Sequence, residues 1–247
     1  MKEVFAIAKR ELESHFTTPI GWIVIFVFSL VSGLLFVSVF GQIDYYQAQG
    51  YNFDIDKDVI PSFFSSLILL TCLICPALSM RTFSADIKQK SFTLLLASPL
   101  SSFQIVMGKF IGVFAYILVI LSCMIHFPLI LFWVGEPSLG ILILNYLAVI
   151  LTAGCCLSIG MFWSACSPSQ LLSFFLGLSS ILLLLFFTAA QNYFSGNLAV
   201  FMYSISLISH VEYLCQGLIR TTDLAYFFCF IAIFLFSTLQ RIETYRC

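Results

Sequence analysis

The sequence predicts an all-α integral membrane protein with six transmembrane helices, on three observations. Of its 247 residues, 61% are hydrophobic and only 9% are charged, where a soluble domain averages about 45–50% apolar and about 25% charged residues. The mean hydropathy of +1.05 leaves too few polar side chains to coat a water-soluble globule of this length. Finally, apolar runs recur at about the 20 residues needed to cross about 30 Å of hydrocarbon. These are 20–40, 61–80, 110–134, 139–163 and 171–190, with a shorter sixth at 223–239 that recruits part of the preceding turn.

Ahead of the first run, Phe5, Ala8, Leu12 and Phe16 recur at helical spacing with Lys2, Lys9, Arg10 and Glu13 between them. This pattern predicts an amphipathic helix lying in the membrane interface. Pro19 marks a bend between it and span one, because proline cannot continue the hydrogen-bond ladder. The start lacks the basic, apolar and small-residue regions of a signal peptide and is expected to stay on the mature chain. An acidic loop, 41–60, joins spans one and two. The connection from Arg81 to Gly108 has helical character, with Ile87, Phe92 and Leu95 interleaved with Asp86, Lys88, Gln89 and Lys90, and Pro99 stops it. The apolar stretch 198–207 suits a re-entrant or interfacial helix better than a seventh span. No repeat or low-complexity linker divides the chain, so 1–247 reads as a single transmembrane domain.

Charge sets the topology. Lys2, Lys9, Arg10, Arg81, Lys88, Lys90, Lys109, Arg241 and Arg246 fall on one side of this arrangement, which leaves only Lys57 and Arg220 of the eleven positive charges for the other. Loops rich in Lys and Arg are cytoplasmic, so both termini are expected in the cytoplasm. The near-even balance of 11 basic and 12 acidic residues argues against nucleic acid as a partner.

The chemistry is sparse. Gly108-Lys109 is the only Gly-Lys pair; Phe110 follows it and no glycine stands five positions earlier, so the phosphate-binding loop of an ATP-hydrolysing pump is missing. No acid or base sits at mid-span, where an ion-coupled carrier would place one. The chain therefore reads as non-catalytic, without a cofactor of its own, and driven by another subunit. His126, two residues before Pro128, reads as bonded to a carbonyl freed near that proline. His210 and Glu212 read as a structural hydrogen-bonded pair, since two ligands do not close a metal site. The nine cysteines, including Cys72, Cys75, Cys155 and Cys156, read as packing residues, with no disulfide expected. The acids of the first loop read as solvated. The connection after Arg81 is the best functional candidate, as a polar handle for a partner.

Three stretches resemble the permease subunits of type-2 ATP-binding-cassette (ABC) transporters, and especially their gliding-motility subgroup. They are Ala8-Lys-Arg-Glu-Leu with Phe16-Thr-Thr-Pro-Ile20 and Ser32-Gly-Leu-Leu-Phe36; Pro76-Ala-Leu-Ser-Met-Arg81-Thr-Phe83 with Leu94-Leu-Leu-Ala-Ser-Pro99 and Gly108-Lys109-Phe110; and Ser206-Leu-Ile-Ser-His210-Val-Glu212 running to Asp223-Leu-Ala-Tyr-Phe227. The resemblance implies a multi-pass subunit of the inner (plasma) membrane, in contact with lipid and paired with a like or related permease. It implies a cytoplasmic ATPase subunit that binds the ATP and docks on a coupling helix carrying Arg81, Asp86, Lys88, Gln89, Lys90, Ser91 and Thr93. It also implies short re-entrant helices between Ser195 and Arg220. The family's Gly-Thr-x-Glu is replaced here by Lys90-Ser91-Phe92-Thr93, so the acid is missing at Thr93. The activity implied is ATP-driven export. The alternative is a membrane scaffold in an assembly or maturation complex with no transport path of its own.

Overall fold

The computed structural model describes residues 2–48, 54–88, 101–134, 137–190 and 196–245. Among them there is no strand, and six helical stretches are long and apolar enough to cross a membrane. The first helix, α1 (Lys2–Thr17), ends where Thr17, Thr18 and the Trp22 indole donate to the carbonyls of Ser14, His15 and Phe16. These side chains satisfy acceptors that a helix C-terminus leaves without partners. Span one, α2 (Pro19–Ala48), starts on its proline, whose fixed φ suits the first helical position. It runs beyond the expected end at residue 40, so the first part of the expected acidic loop is helix. Gly41 is not followed by a proline or any other strong breaker, and the ladder continues.

The remaining acids of that loop are structural. Asp54 accepts the Asp56 N–H at 3.1 Å and caps a single π turn, Ile55–Val59. Asp56 Oδ1 accepts the Ser138 N–H at 2.9 Å, tying this loop to the one before span four. Span two, α3 (Ile60–Ser79), leads through a turn into a short helix, α4 (Ser84–Lys88).

Span three begins eight residues before the predicted start at 110. Ser101 accepts the Gln104 N–H while the Gln104 side chain accepts the Ser101 N–H, a reciprocal capping box that opens α5 (Ser102–Ser122). A 3₁₀ turn at Cys123–Ile125 then separates α5 from α6 (His126–Val134). The turn has a local cause: Pro128 has no N–H for the Met124 carbonyl, which instead accepts the Tyr146 hydroxyl at 3.2 Å. His126 Nδ1 lies 2.8 Å from the Cys123 carbonyl, so this histidine is bonded one residue before the Met124 carbonyl that Pro128 frees.

Spans four, five and six are α7 (Leu139–Cys166), α8 (Gln170–Ala190) and α11 (Thr221–Thr244), with two short helices, α9 (Asn197–Ile205) and α10 (Leu207–Cys215), ahead of the last. Gly217, at φ +84°, closes α10 in the left-handed conformation, and the Leu218 N–H returns to the Tyr213 carbonyl. In their most apolar stretches spans two, three and four are 50 to 56% buried, whereas spans one, five and six are 17 to 22% buried. The core therefore lies between α3, α5 and α7, and the other three spans leave broad apolar faces uncovered. Within it Cys72, Cys75, Cys155 and Cys156 are buried free thiols, with Cys72 and Cys156 Sγ 3.5 Å apart. Cys72, Cys75 and Cys156 fill space between α3 and α7, while Cys155 Sγ lies 3.8 Å from the Phe227 carbonyl on span six, and all four pack as small apolar residues do.

Candidate functional site

At the end of the bundle that carries α1, three elements, α1, the turn after span two and α4, converge on one lysine of α5. Val4, Ile7, Ala8, Glu11 and His15 recur at helical spacing and turn one face of α1 onto the first turns of α5. The contact is close because α5 presents Gly108 and Gly112. A Cβ at Gly108 would lie 2.7 Å from Ile7 Cβ, and one at Gly112 would lie 2.7 Å from both the Ala8 carbonyl oxygen and Glu11 Cβ. Small residues four apart let two helix backbones approach in this way. One turn further along, the His15 ring stacks on Tyr116 at 4.7 Å, and the Tyr116 hydroxyl donates to the Gly21 carbonyl at 2.7 Å.

Lys109 stands between the two glycines with its side chain only 6% exposed. Its ammonium is 2.8 Å from Asp86 Oδ2 on α4 and 3.6 Å from Glu11 Oε2 on α1. It also donates to the Thr82 carbonyl and sits 5.2 Å from the centre of the Phe83 ring. A buried ammonium is tolerated only with good partners, and this one takes them from α1, from the turn after span two and from α4. Ser164, near the end of span four, completes the joint: its hydroxyl accepts the N–H groups of Phe83 and Ser84, each at 3.1 Å, and donates to the Met80 carbonyl at 3.0 Å. The chain leaving span two is thus bonded to span three, to span four and, through Lys109, to α1. Burial, and then the positive charges of Arg81 and Lys109, hold the His15 imidazole down to about 4.

The expected handle falls partly here. Asp86 is in the joint, Arg81 lies in the turn close enough to act on His15, and Lys88 is exposed at the end of α4. Gln89, Lys90, Ser91 and Thr93 lie outside the described residues. On α1, Lys9 and Glu13 form an exposed pair at 3.8 Å and Arg10 is exposed, so all three face away from α5. The expected apolar face of α1 divides: Ala8 is buried against α5, while Phe5 is 72% exposed. Sequence reasoning gave no role to Glu11, His15, Gly112 or Ser164, and it read Lys109 as a charge at the mouth of span three and as part of a family block, not as the centre of a buried ion pair.

At the opposite end the His210–Glu212 pair is not formed. His210 Nδ1 lies 2.7 Å from Asp223 Oδ1, its ring stacks on Tyr226 at 4.1 Å, and Glu212 is exposed. Residues two apart on a helix point to different sides, whereas Asp223, in the first turn of α11, faces α10. Asn145 also holds α10 in place, its amide donating to the Cys215 carbonyl at 3.0 Å.

Six apolar helices and a polar joint that binds the connection between two of them define a multi-pass membrane protein. A sequence profile of the ABC-2 type transporter family matches residues 2–222, and the chain belongs to that family as a permease component. The match runs from the start of α1 to the second residue of span six. Permease components of this family are generally non-catalytic and typically work with a cytoplasmic ATPase. No curated protein matches the chain closely enough to count as a relative.

Proposed function

We propose that this permease component takes its energy from a separate cytoplasmic ABC ATPase, which grips the connection after span two and drives export. The observation that carries the reading is the joint itself: Asp86 and the Phe83–Ser84 backbone are bonded at once to spans three and four, so a pull on residues 84–88 moves both. The side with nine of the eleven positive charges then faces the cytoplasm, which puts both termini there and makes the inner membrane the site of action. The uncovered faces of spans one, five and six provide room for a second permease, like or related, and for lipid. Helices α9 and α10 act as re-entrant elements on the outer side, and α1 sits at the inner interface. No observation among the described residues favours the scaffold alternative.

The test is the complex purified with its ATPase subunit. Lys88→Glu combined with Lys90→Glu is expected to abolish co-purification, or to remove the effect of the permease on ATP turnover. Unchanged assembly and turnover would refute the docking assignment.

A further inference from the structure

Two carboxylates converge on Lys109, and they belong to elements with different freedom. Glu11 is on α1, which the Gly108 and Gly112 contacts and the His15–Tyr116 stack fix to the same helix that carries Lys109. Asp86 is on a five-residue helix at the start of the connection that the coupling reading has an ATPase move. If α4 moved and Lys109 had no other acid, a buried ammonium would be stranded, which is far costlier than separating an exposed pair. Glu11, at 3.6 Å, is near enough to take the charge after a side-chain rotation, without any movement of α1 against α5.

We infer that Lys109 is a shared positioning residue that exchanges partners: it is held by Asp86 in the state described here and passes to Glu11 when α4 is drawn away. Glu11 thereby keeps the ammonium paired through the motion and makes α1 part of the coupling unit rather than only a membrane anchor. The inference rests on the coupling reading for what moves α4, but the sharing of the lysine has its own test.

That test is a mutant cycle on the full chain in lipid nanodiscs, read as the unfolding rate at a fixed temperature. Glu11→Gln and Asp86→Asn are each expected to change the rate by no more than about threefold, since the remaining acid keeps the lysine paired. The double variant is expected to unfold on the order of a hundredfold faster, the loss typical of a stranded buried charge, and adding Lys109→Met to it is expected to restore most of that loss. If Asp86→Asn alone produces nearly the whole effect and Glu11→Gln adds nothing, the lysine is a fixed structural pair and the inference falls. A second arm uses the complex with its ATPase and spin labels at exposed Ser14 and Lys88. Their separation is expected to change with a non-hydrolysable ATP analogue, and Glu11→Gln is expected to suppress the change. A change that persists unaltered in Glu11→Gln overturns the exchange, whereas its absence in the wild-type complex overturns the coupling reading instead.

Discussion

Replacing Gly112 with alanine measures how tightly α1 is seated on span three. The added Cβ would lie 2.7 Å from the Ala8 carbonyl oxygen and from Glu11 Cβ, and 3.2 Å from Ala8 Cα. Ordinary contact begins near 3.4 Å, so α1 must retreat by about 0.7 Å. The first obstacle is backbone, and no rotamer change relieves it. Overpacking of this kind costs about 1–3 kcal/mol. Alanine also favours a helix over glycine by about 1 kcal/mol, which would mask part of the loss in a global melt. That gain belongs to α5, which remains helical when α1 lifts away, so local opening of α1 registers the full steric cost. Hydrogen exchange over residues 2–17 is therefore the assay of choice. Gly112→Ala is expected to speed exchange there by about 5- to 150-fold, at about 1.4 kcal/mol per factor of ten. Gly140→Ala, where nothing lies within 4 Å of the new Cβ, is the control and should leave α1 unaffected. Exchange over α1 that is unchanged by Gly112→Ala, or equally raised by Gly140→Ala, would refute the packing of α1 against span three.

Two further outcomes follow from the titratable groups at the two ends of the bundle. His15 is lowered from 6.5 to about 4 by burial first and by Arg81 and Lys109 after it. The unfolded chain therefore takes up the proton more readily, so the stability this residue confers is complete above about pH 6.5 and falls as pH drops toward 4. The full loss is about 3 kcal/mol, and melting of His15→Asn between pH 7.5 and pH 4.5 should show a flatter slope than wild type. At the opposite end, His210→Ala leaves the buried Asp223 carboxylate, 3% exposed, without its imidazole. It should cost about 3–5 kcal/mol in a detergent melt, while Glu212→Gln should not measurably shift the transition.

The spans were legible because a bilayer imposes a length and a composition that any window of the sequence displays. Their ends were less so, and for identifiable reasons. Ser101 and Gln104 spell a capping box, a local signal that moves the start of span three back to Ser102; hydropathy alone cannot detect it, since the first turns carry Gln104, Gly108 and Lys109. The partner of α1 was not legible. An amphipathic helix has the same periodicity whether its apolar side meets lipid or another helix, and only the Gly108–Gly112 spacing on span three hinted at the second. The error at His210 was avoidable from helix geometry: Glu212 is two residues away on the same helix, while Asp223 opens the next one.

Lys109 shows how one residue type can carry two meanings that sequence position does not separate. A lysine at the mouth of an apolar run is the ordinary signature of a cytoplasmic end, and the charge count uses it so. Such a lysine normally extends its ammonium toward water. Here the capping box starts the helix two turns earlier, which carries the residue inward, and the glycines on either side bring α1 down over it. Enclosed in this way, the ammonium draws its partners from the protein: Asp86, Glu11 and the Thr82 carbonyl. Its burial thus follows from the same two local features, an N-terminal cap and a pair of small residues, that fix α1 to span three. A substitution that loosens α1 should therefore also expose Lys109, and the packing of the helix and the pairing of the charge should fail together.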